Sequence, residues 1–545
     1  MNNKLPRRKF LQVSSAAAAT TLLGQIPSLA QTATNIEQVL GAEDSKAAKL
    51  DENAPQIRVL LHEADGKPLE HERQILLHAR DLENDPLPQA ISAAEGRARI
   101  GLATEPLQIS GRLKVPGFGE VYCYADNNGK GYAKPETIEF VVDAAATRLR
   151  RVREVFEREG KQLPSDPIFE KHLASAAQKI PAKPELARIA AAYESLSHGL
   201  HAGEILTLNA ARNRIAKLSA PRKNFLFGAL MSSLPGRGAA IEKRFTDAFN
   251  FAPTTWYSWK NEEPAAQRID YGRMDQSLQW CLANKIVPKN YGYVYLSNGA
   301  TPEWIRKWPF EKVLAQYKQV VAQTTRRYAG NVPYVEVINE AHDKANLFRF
   351  SHAQVLELTR VACQAAREGS PTVKRQINHC CLWAEYAKRT NTDGSRRWSP
   401  YRYLTDCVKA GVEFENVGLQ LYYPQQDLFE IERMLERFKK FNRPIQITEI
   451  SCQSAEGLDL VSMRPKNIVP GWHGTWSETM QADWLEAMFT LCYSKPEFEA
   501  VGWWDLADYG GHFWPHGGLL RKDFSPKESY LRLLKLQKDW GVAKV

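Results

Sequence analysis

The stretch Tyr334-Val335-Glu336-Val337-Ile338-Asn339-Glu340 decides the fold of this chain. It starts as an alternating run rich in β-branched residues and ends in an Asn-Glu pair, after which the sequence becomes polar and helix-prone. This pattern predicts a buried strand that presents polar side chains at its C-terminal end. The stretch Pro444-Ile445-Gln446-Ile447-Thr448-Glu449-Ile450 has the same form and also carries a carboxylate at its end.

Two carboxylates at the C-terminal ends of two strands of one parallel barrel would face a common pocket. Paired carboxylates are what the cleavage of a glycosidic bond requires. The alternative is that Glu340 and Glu449 are solvated residues, each at the end of its own strand. Because both stretches share one form, the sequence favours a pair that acts together.

Strand patterns alternate with helical patterns from residue 223 to residue 540. Eight such units over roughly 300 residues predict an α/β fold, a (β/α)8 TIM barrel. The C-terminal ends of the strands are then expected to build the active site. The strands are predicted at residues 224–228, 249–253, 286–296, 335–340, 375–378, 417–421, 445–449 and 500–506.

Residues 56–145 carry short β patterns at residues 57–61, 97–102, 108–113, 119–124 and 137–142, separated by turn signals such as Asn127-Asn128-Gly129. They predict a small all-β, sandwich-like domain, and its binding of carbohydrate is left open. Residues 146–218 are rich in charge and have helical periodicity, which predicts a helical connector to the barrel. The tyrosines of the β region are candidates either for a sugar site or for the core: Tyr122, Tyr124 and Tyr132.

The N-terminus carries an export pattern. The run Pro6-Arg7-Arg8-Lys9-Phe10-Leu11-Gln12 precedes an Ala-rich segment and the small-x-Ala pattern Ser28-Leu29-Ala30. This order predicts a twin-arginine signal peptide over residues 1–30, followed by a linker over residues 31–55. We therefore expect export by the twin-arginine translocation machinery to the periplasm or beyond the cell. No later segment reaches the ~20 apolar residues of a membrane span.

Composition narrows the function classes. Hydrophobic residues make up 43% and charged residues 25% of the 545 residues, a globular balance. The net charge of +10 suits an acidic polysaccharide or a membrane surface, but no nucleic-acid motif accompanies it. The eight cysteines and the histidines lack metal-site spacing, and no glycine-rich phosphate loop occurs. We expect buried thiols, with a disulfide left open, no metal, no cofactor and a monomer.

Residues 224–540 resemble glycoside hydrolase family 10, whose best-known members are endo-β-1,4-xylanases. The resemblance rests on an ordered set of motifs along the whole predicted barrel. Val337-Ile338-Asn339-Glu340-Ala341 is similar to the acid/base strand of the family, and Ile447-Thr448-Glu449-Ile450 is similar to its nucleophile strand. The other motifs are Ile377-Asn378, Gly418-Leu419-Gln420, Trp504-Asp505-Leu506-Ala507-Asp508, Trp514, Gly517-Gly518-Leu519-Leu520 and Ser525-Pro526-Lys527 with Tyr530.

The resemblance implies a retaining double displacement. Glu449 is implied to be the nucleophile and Glu340 the acid/base residue, with the carboxyl groups about 5–5.5 Å apart. This chemistry requires two environments, so that Glu340 is held protonated while Glu449 is ionised. Asn339 is implied to bind the 2-hydroxyl of the sugar beside the cleaved bond; the alternative is a capping Asn at a strand end.

The resemblance also implies a set of substrate-binding residues. Trp504 and Trp514 are expected to form walls of the central subsites, with barrel core as the alternative. His379 stands at the position of an Asp in the fifth-strand motif of the family. The remaining predicted substrate contacts are Gln420, Tyr422, Tyr291, Tyr295, Trp256 and Asn378.

Several positions depart from the family pattern. The second-strand run, usually Glu-Asn-Glu-Met-Lys-Trp, reads Thr254-Thr255-Trp256-Tyr257-Ser258-Trp259. Tyr291 and Tyr295 stand where the third strand usually carries His and Trp. Tyr422 replaces the sixth-strand His, and its hydroxyl could donate to Glu449. These changes predict subsites rebuilt for another β-glycan, a decorated chain or a short oligosaccharide.

The leading hypothesis is an exported retaining β-glycanase, similar to an endo-β-1,4-xylanase, that acts on a polysaccharide or an oligosaccharide. The sugar, the linkage and endo or exo action stay open. A non-hydrolytic glycan-binding barrel is one alternative, although a decayed enzyme has no physical need for two buried carboxylates. The other alternative is a transglycosylase that uses the same covalent intermediate.

Overall fold

The computed structural model describes most of the chain after residue 44. The described residues are 45–46, 50–51, 53–231, 234, 236–254, 259–263, 268–342, 345–391 and 393–542. The predicted signal peptide, most of the linker before residue 50, and Trp256 lie outside them. Among the described residues, no helix has both the length and the hydropathy of a membrane span.

Eight parallel strands close into a barrel, so the predicted TIM-type fold is confirmed. The third strand is shorter than its predicted range, although Val294 still forms a parallel bridge with Ile338. The barrel strands are β1 (Leu226–Ala229), β2 (Phe251–Pro253), β3 (Val287–Asn290), β4 (Tyr334–Asn339), β5 (Lys374–His379), β6 (Asn416–Tyr422), β7 (Ile445–Ser451) and β8 (Phe498–Trp503).

Amphipathic helices cover the barrel and bury their apolar faces against the strands. Side-chain caps set several of their N-termini; Ser351, for example, forms a reciprocal capping box with Gln354. The longer helices are Ala239–Ala248, Gly272–Ala283, Phe310–Arg327, His352–Gly369, Pro400–Lys409, Leu428–Lys439, Glu478–Tyr493 and Glu528–Asp539. Shorter helical turns are Trp259–Glu262, Glu303–Ile305 and Glu385–Lys388.

A polar layer fills part of the barrel interior. The Lys289 Nζ lies 3.0 Å from a carboxylate oxygen of Glu336 and also donates to Gln376. The Gln376 Nε2 in turn donates to the Gln446 Oε1 at 2.9 Å. All four side chains are buried, so the charges are compensated by partners rather than by water. Glu336 belongs to β4, the strand that ends at Asn339 and is followed by Glu340, so this polar layer is continuous with the strand that carries the Asn339-Glu340 pair.

Two sheets form the region before the connector. Strands Ile91–Ala94, Arg97–Gly101, Gln56–Leu60 and Thr137–Glu139 make the first sheet, in that order; strands His78–Asp81, Leu107–Val115 and Gly119–Ala125 make the second. Strands His78–Asp81 and Ile91–Ala94 were missed because both are short and lack clear alternation. A strand was expected to run to residue 142, but it ends at Glu139, where a helix begins.

The three tyrosines of this region belong to the core. Tyr122, Tyr124 and Tyr132 are each no more than 6% exposed, which leaves them no open face for a sugar ring. The Tyr124 hydroxyl donates to the Gln426 Oε1 of the barrel at 3.0 Å, and the Tyr132 hydroxyl donates to Asp143 at 2.7 Å. The core alternative of the sequence analysis is therefore the correct one for these side chains.

The connector consists of helices Phe140–Arg158, Pro167–Ala176 and Glu185–Ala216. It shares one apolar core with the β region and reaches the barrel through buried ion pairs. Arg148 binds both carboxylate oxygens of Asp427 at 2.9 and 2.6 Å, and Arg151 binds Glu430 at 3.1 Å. Asp427 also caps helix Leu428–Lys439, so this contact joins the connector to a helix of the barrel.

The substitution Arg148→Ala is expected to destabilise the protein by about 3–5 kcal/mol, because it leaves the buried carboxylate of Asp427 without its partner. Urea denaturation of the variant and the parent protein measures this loss. The control is Arg212→Ala, on an exposed face of helix Glu185–Ala216, with an expected change of about 0.5 kcal/mol or less. Equal effects of the two substitutions would contradict the structural role of the Arg148–Asp427 pair.

All eight cysteines are free thiols in the structure, and seven of them are buried. Burial raises the pKa of the Cys281 and Cys363 thiols to about 12, so these groups stay protonated and unreactive near neutral pH. This arrangement agrees with the expectation of buried thiols, although Cys123 lies in the β region rather than in the barrel and Cys381 is only half-buried.

Candidate active site

Glu340 stands at the C-terminal end of β4 in a backbone conformation that non-glycine residues rarely adopt. Its φ is +52°, in the left-handed region. The backbone N–H of Glu340 donates to the carbonyl oxygen of Asn378 at 3.0 Å, which links the turn to β5. Strained backbone of this kind persists where the surroundings over-determine it, and it concentrates at functional sites. The turn directs the chain out of the barrel immediately after Asn339.

Two side chains from other strands hold the carboxylate of Glu340. Tyr295 lies in the segment that follows β3, and its hydroxyl donates to the Glu340 Oε2 at 2.9 Å. The Gln420 Nε2, on β6, donates to the Glu340 Oε1 at 3.0 Å. The structure thus brings together three residues that the sequence assigned to one site.

Glu449 lies on β7 and is 7% exposed. The register of β6 and β7 shifts between Leu419 and Gln420, which makes Gln420 the direct neighbour of Glu449. The Tyr422 hydroxyl donates to the Glu449 Oε2 at 2.7 Å, as expected for the residue that replaces the family's histidine. Each of the two carboxylates therefore has its own tyrosine donor.

An amide network joins the two strand ends. The Asn339 Oδ1 accepts from the Asn378 Nδ2 at 3.3 Å and from the Gln420 Nε2 at 3.2 Å. The Thr448 hydroxyl donates to the Asn378 Oδ1 at 2.7 Å. Because its oxygen is engaged by two donors, Asn339 keeps its Nδ2 as a donor, and this group forms no hydrogen bond with another described residue. Asn339, Asn378 and Gln420 thus orient each other at the carboxyl end of the barrel.

Burial raises the pKa of Glu449 well above its usual range, and the nearby carboxylates of Glu336 and Glu340 act in the same direction. The hydrogen bond from Tyr422 and the charge of Lys289 oppose this rise. A deeply buried carboxylate with a single hydrogen-bond donor among the described residues holds its proton more tightly than a solvated one. The expected ionised state of Glu449 during catalysis stays a prediction.

The two tyrosines that touch the carboxylates stay protonated. Burial is the largest cause of the raised pKa of both Tyr295 and Tyr422, followed by the charges of Glu340 and Glu449 respectively. Neutral hydroxyls can donate to a carboxylate near neutral pH. They therefore act as fixed donors rather than as proton exchangers.

Aromatic rings form a connected cluster with Tyr422, the donor to Glu449. Trp504 is half-buried and meets Tyr291 edge-on, with ring centroids 6.0 Å apart. Trp514 is 6% exposed and stacks on Tyr422 at 5.4 Å, while Phe513 lies 5.2 Å from the same ring. Trp514 therefore packs against the ring of Tyr422 and holds it in place. Of the two tryptophans, Trp504 is the more exposed to solvent. Their contact with sugar stays a prediction.

Some residues near the site received no role in the sequence analysis. The buried carboxylate of Asp505 accepts from the backbone N–H groups of Phe513 and Trp514, both at 2.8 Å, and burial raises its pKa to about 6. The guanidinium of Arg464 lies 4.1 Å from the ring centre of Phe513. Thr448 orients Asn378. The sequence indicated these roles only through position: Thr448 precedes Glu449, and Asp505 follows Trp504. Contacts between distant loops leave no local pattern in the sequence.

His379 is fully buried and has no hydrogen-bond partner among the described residues. Burial lowers its pKa to about 3, so it is neutral at the pH of any ordinary assay. Its ring packs between those of His342 and Tyr403. In this chain the position that carries an Asp in the family is therefore part of the core.

The arrangement can support two kinds of catalysis. Two carboxylates, at the ends of β4 and β7, lie at the same end of the barrel. Gln420 is next to both of them, because its side chain donates a hydrogen bond to Glu340 and its backbone position pairs with that of Glu449 in the sheet. A carboxyl group beside a polarised bond acts as a general acid or base, and a second one acts as a nucleophile or a base. The described part of the site therefore holds the paired carboxylates that glycosidic bond cleavage needs.

Comparison with known proteins identifies one curated relative. It is a β-1,4-xylanase of Dictyoglomus thermophilum, 22% identical over 315 residues that cover 54% of this chain and 83% of the relative.

The chain is also similar to the solved structure of xylanase 10B of Thermotoga petrophila in complex with xylobiose. It is 18% identical, and the match covers 58% of this chain and 96% of that protein with a TM-score of 0.47. A family 10 structure from Paenibacillus barcinonensis is 16% identical, covering 60% of this chain and 97% of that protein with a TM-score of 0.45.

The sequence model described as "Glycosyl hydrolase family 10" matches residues 217–535, more than half of the 545 residues. This range contains all eight barrel strands and both strand-end glutamates. The chain is therefore a glycoside hydrolase and belongs to glycosyl hydrolase family 10.

Proposed function

We propose that this protein is an exported, retaining, xylanase-like β-glycanase that cleaves its substrate by double displacement. The observation that carries the proposal is the pair of carboxylates at the ends of β4 and β7, each with its own tyrosine donor and both adjacent to Gln420. Export by the twin-arginine route is part of the proposal and rests on the motif at Pro6–Gln12.

In the first half-reaction, Glu449 attacks the anomeric carbon while Glu340 gives its proton to the departing glycosidic oxygen. A carbon–oxygen bond to Glu449 forms as the bond to the leaving sugar breaks, which yields a covalent glycosyl-enzyme. In the second, Glu340 takes a proton from water, and the resulting hydroxide displaces Glu449 from the same carbon. Two inversions restore the original anomeric configuration.

Asn339 and Gln420 place the sugar for this attack. The Oδ1 of Asn339 is occupied by Asn378 and Gln420, so its Nδ2 is available to donate to a hydroxyl of the sugar beside the cleaved bond. A hydrogen bond that strengthens as the oxocarbenium-like transition state forms raises the rate rather than merely the affinity. Gln420 fixes Asn339 and Glu340 with one amide group, so both are oriented together.

The substrate class follows from the polar and aromatic groups of the site. The curated relative is named a β-1,4-xylanase, and xylan is therefore the first substrate to test. Tyr291 and Tyr295 replace residues of the family pattern on the third strand, and Trp504 presents its more open ring beside Tyr291. Tyr291 itself is buried, so the half-buried ring of Trp504 is the aromatic face available to a sugar, and such a face suits a decorated xylan chain or another β-glycan.

The substitution Tyr422→Phe is expected to move the acidic limb of the kcat/KM profile to higher pH. Attack requires ionised Glu449, and the Tyr422 hydroxyl lowers the pKa of that group, so its removal leaves Glu449 protonated up to a higher pH. A hydrogen bond to a charged group contributes about 1.5–3 kcal/mol, which corresponds to a shift of about one to two pH units.

The matched control is Tyr423→Phe on the adjacent position of the chain. The Tyr423 ring packs against Trp476, with ring centroids 4.9 Å apart, on the opposite face from Glu449. Its pH profile should coincide with that of the parent protein. An unchanged acidic limb in Tyr422→Phe would contradict the proposed role of Glu449 as the group that must ionise.

The proposal is tested by incubating the mature protein with a panel of β-glycans and aryl β-glycosides and following the anomeric form of the first product by NMR. We expect hydrolysis of a β-1,4-linked xylan or a related chain with retention. Inverted product would refute the covalent mechanism. Products extended by an added acceptor sugar, in place of hydrolysis, would favour a transglycosylase, and binding without any cleavage would favour a glycan-binding barrel.

A further inference from the structure

Three residues that are far apart in the sequence meet beside the N-terminal sheets. His62 follows strand Gln56–Leu60, and Glu139 ends strand Thr137–Glu139, which pairs in parallel with the first strand. Glu185 is the first residue of the long connector helix Glu185–Ala216. The sheet and the helix thus each contribute to one cluster, which lies outside the barrel strands.

The geometry of the cluster suits one small cation. The His62 Nδ1 lies 2.9 Å from the Glu139 Oε2, and one ligand atom from each of the three residues lies within 4.8 Å of the others. Ligands at about 2.0–2.2 Å from a tetrahedral Zn²⁺ stand about 3.3–3.6 Å from each other, so zinc would replace the 2.9 Å contact between His62 and Glu139 with two bonds to the metal. The Tyr193 hydroxyl donates to the backbone carbonyl of His62 at 2.7 Å, which fixes His62 against the same connector helix.

A second observation points to a ligand at this place. Glu139 is 4% exposed, and its Oε1 is buried without a hydrogen-bond partner among the described residues. A buried carboxylate oxygen without a partner is costly, and native proteins normally satisfy such atoms. A cation between His62, Glu139 and Glu185 would satisfy it.

We propose that His62, Glu139 and Glu185 form a structural zinc site that joins the N-terminal sheet to the connector helix. An imidazole nitrogen together with carboxylate oxygens is a donor set that Zn²⁺ accepts, whereas Ca²⁺ and Mg²⁺ prefer oxygen ligands alone. Water is expected to complete the coordination on the exposed side, where Glu185 lies. The site has no part in the chemistry at Glu340 and Glu449.

Two other arrangements compete with this proposal. The first is a metal-free ion pair between His62 and Glu139, which the 2.9 Å contact alone would also explain. The second is zinc binding at another histidine cluster on the connector, where the Nδ1 atoms of His172 and His198 lie 2.9 Å apart. The experiment must separate the proposed site from both.

The test is calorimetric titration of the metal-stripped mature protein with ZnCl₂, combined with thermal melting. We expect one tight equivalent of zinc and a rise in Tm on its addition. His62→Gln and Glu139→Gln should each lower the affinity at least ~100-fold, since even the outer-shell partners of metal ligands contribute up to about 100-fold. Glu185→Gln should have a smaller effect, because this residue is exposed and water can replace it.

The control is His198→Gln, which removes a histidine from the competing cluster and should leave the affinity unchanged. Loss of affinity in His198→Gln but not in His62→Gln would overturn the proposal in favour of the other cluster. Absence of zinc binding by the parent protein would overturn it in favour of the ion pair. The reacting groups lie elsewhere, so glycan hydrolysis by each variant shows that the variant is folded. If the parent protein hydrolyses no glycan, the proposed function fails, but the zinc titration can still be interpreted.

Discussion

Substitution of Glu449 by alanine is expected to lower kcat on every β-glycan and aryl β-glycoside by about five to six orders of magnitude, the loss seen when an enzyme loses its nucleophile. Without Glu449 no glycosyl-enzyme can form, and neither the leaving group nor the pH can compensate. Steady-state hydrolysis at saturating substrate measures the effect. Trapping of a covalent intermediate by mass spectrometry in the parent protein, and its absence in Glu449→Ala, gives an independent measurement.

The control for this experiment is Glu311→Ala. Glu311 is an exposed glutamate in the first turn of helix Phe310–Arg327, on a covering helix rather than on a barrel strand. Its substitution should leave kcat unchanged. If Glu449→Ala kept more than a small fraction of the parent activity while folding normally, another group would have to be the nucleophile.

The second large effect is expected from Glu340→Ala, and it depends on the leaving group. On xylan the departing sugar must be protonated, so kcat/KM should fall by about 10²–10⁴-fold, the usual contribution of a general acid. On an aryl glycoside with a nitrophenolate leaving group, bond cleavage needs no proton, so the first step should be nearly normal. The covalent intermediate then accumulates, because the general base that activates water is missing.

This difference between substrates distinguishes an acid/base residue from one that only shapes the pocket. A burst of nitrophenol followed by slow turnover is the expected signature of Glu340→Ala. An equal loss on xylan and on the aryl glycoside would contradict the proposed role. Asn339→Ala is the matched comparison, because it removes a contact with the sugar and should lower the rate on both substrates to a similar degree.

The barrel could be predicted from the sequence because strand patterns alternate with helical patterns from residue 223 to residue 540. The runs that end at Glu340 and Glu449 needed no knowledge of their neighbours, since their alternation and their β-branched residues are local patterns. The short strands His78–Asp81 and Ile91–Ala94 left no such pattern and were missed. The roles of Glu340 and Glu449 came from the family resemblance together with the chemistry of paired carboxylates.

The finer parts of the site depend on register and burial, which no local pattern encodes. The shift between Leu419 and Gln420 decides that Gln420 stands beside Glu449. The raised pKa of Glu449 comes first from burial and then from the charge of Glu336, a residue inside the barrel whose strand position alone gave no sign of this effect. The cluster of His62, Glu139 and Glu185 arises from contacts between elements far apart in the chain.

The ion pairs between the connector and the barrel have a consequence for the modular use of this enzyme. A shortened chain that kept only residues 217–535 would lose Arg148 and Arg151 and would expose the acidic groups that these residues neutralise, among them Asp427. It would also uncover the apolar surface on which the connector rests. We therefore expect the barrel to need the connector helices for its stability. A fusion protein or a truncated variant has to include these helices.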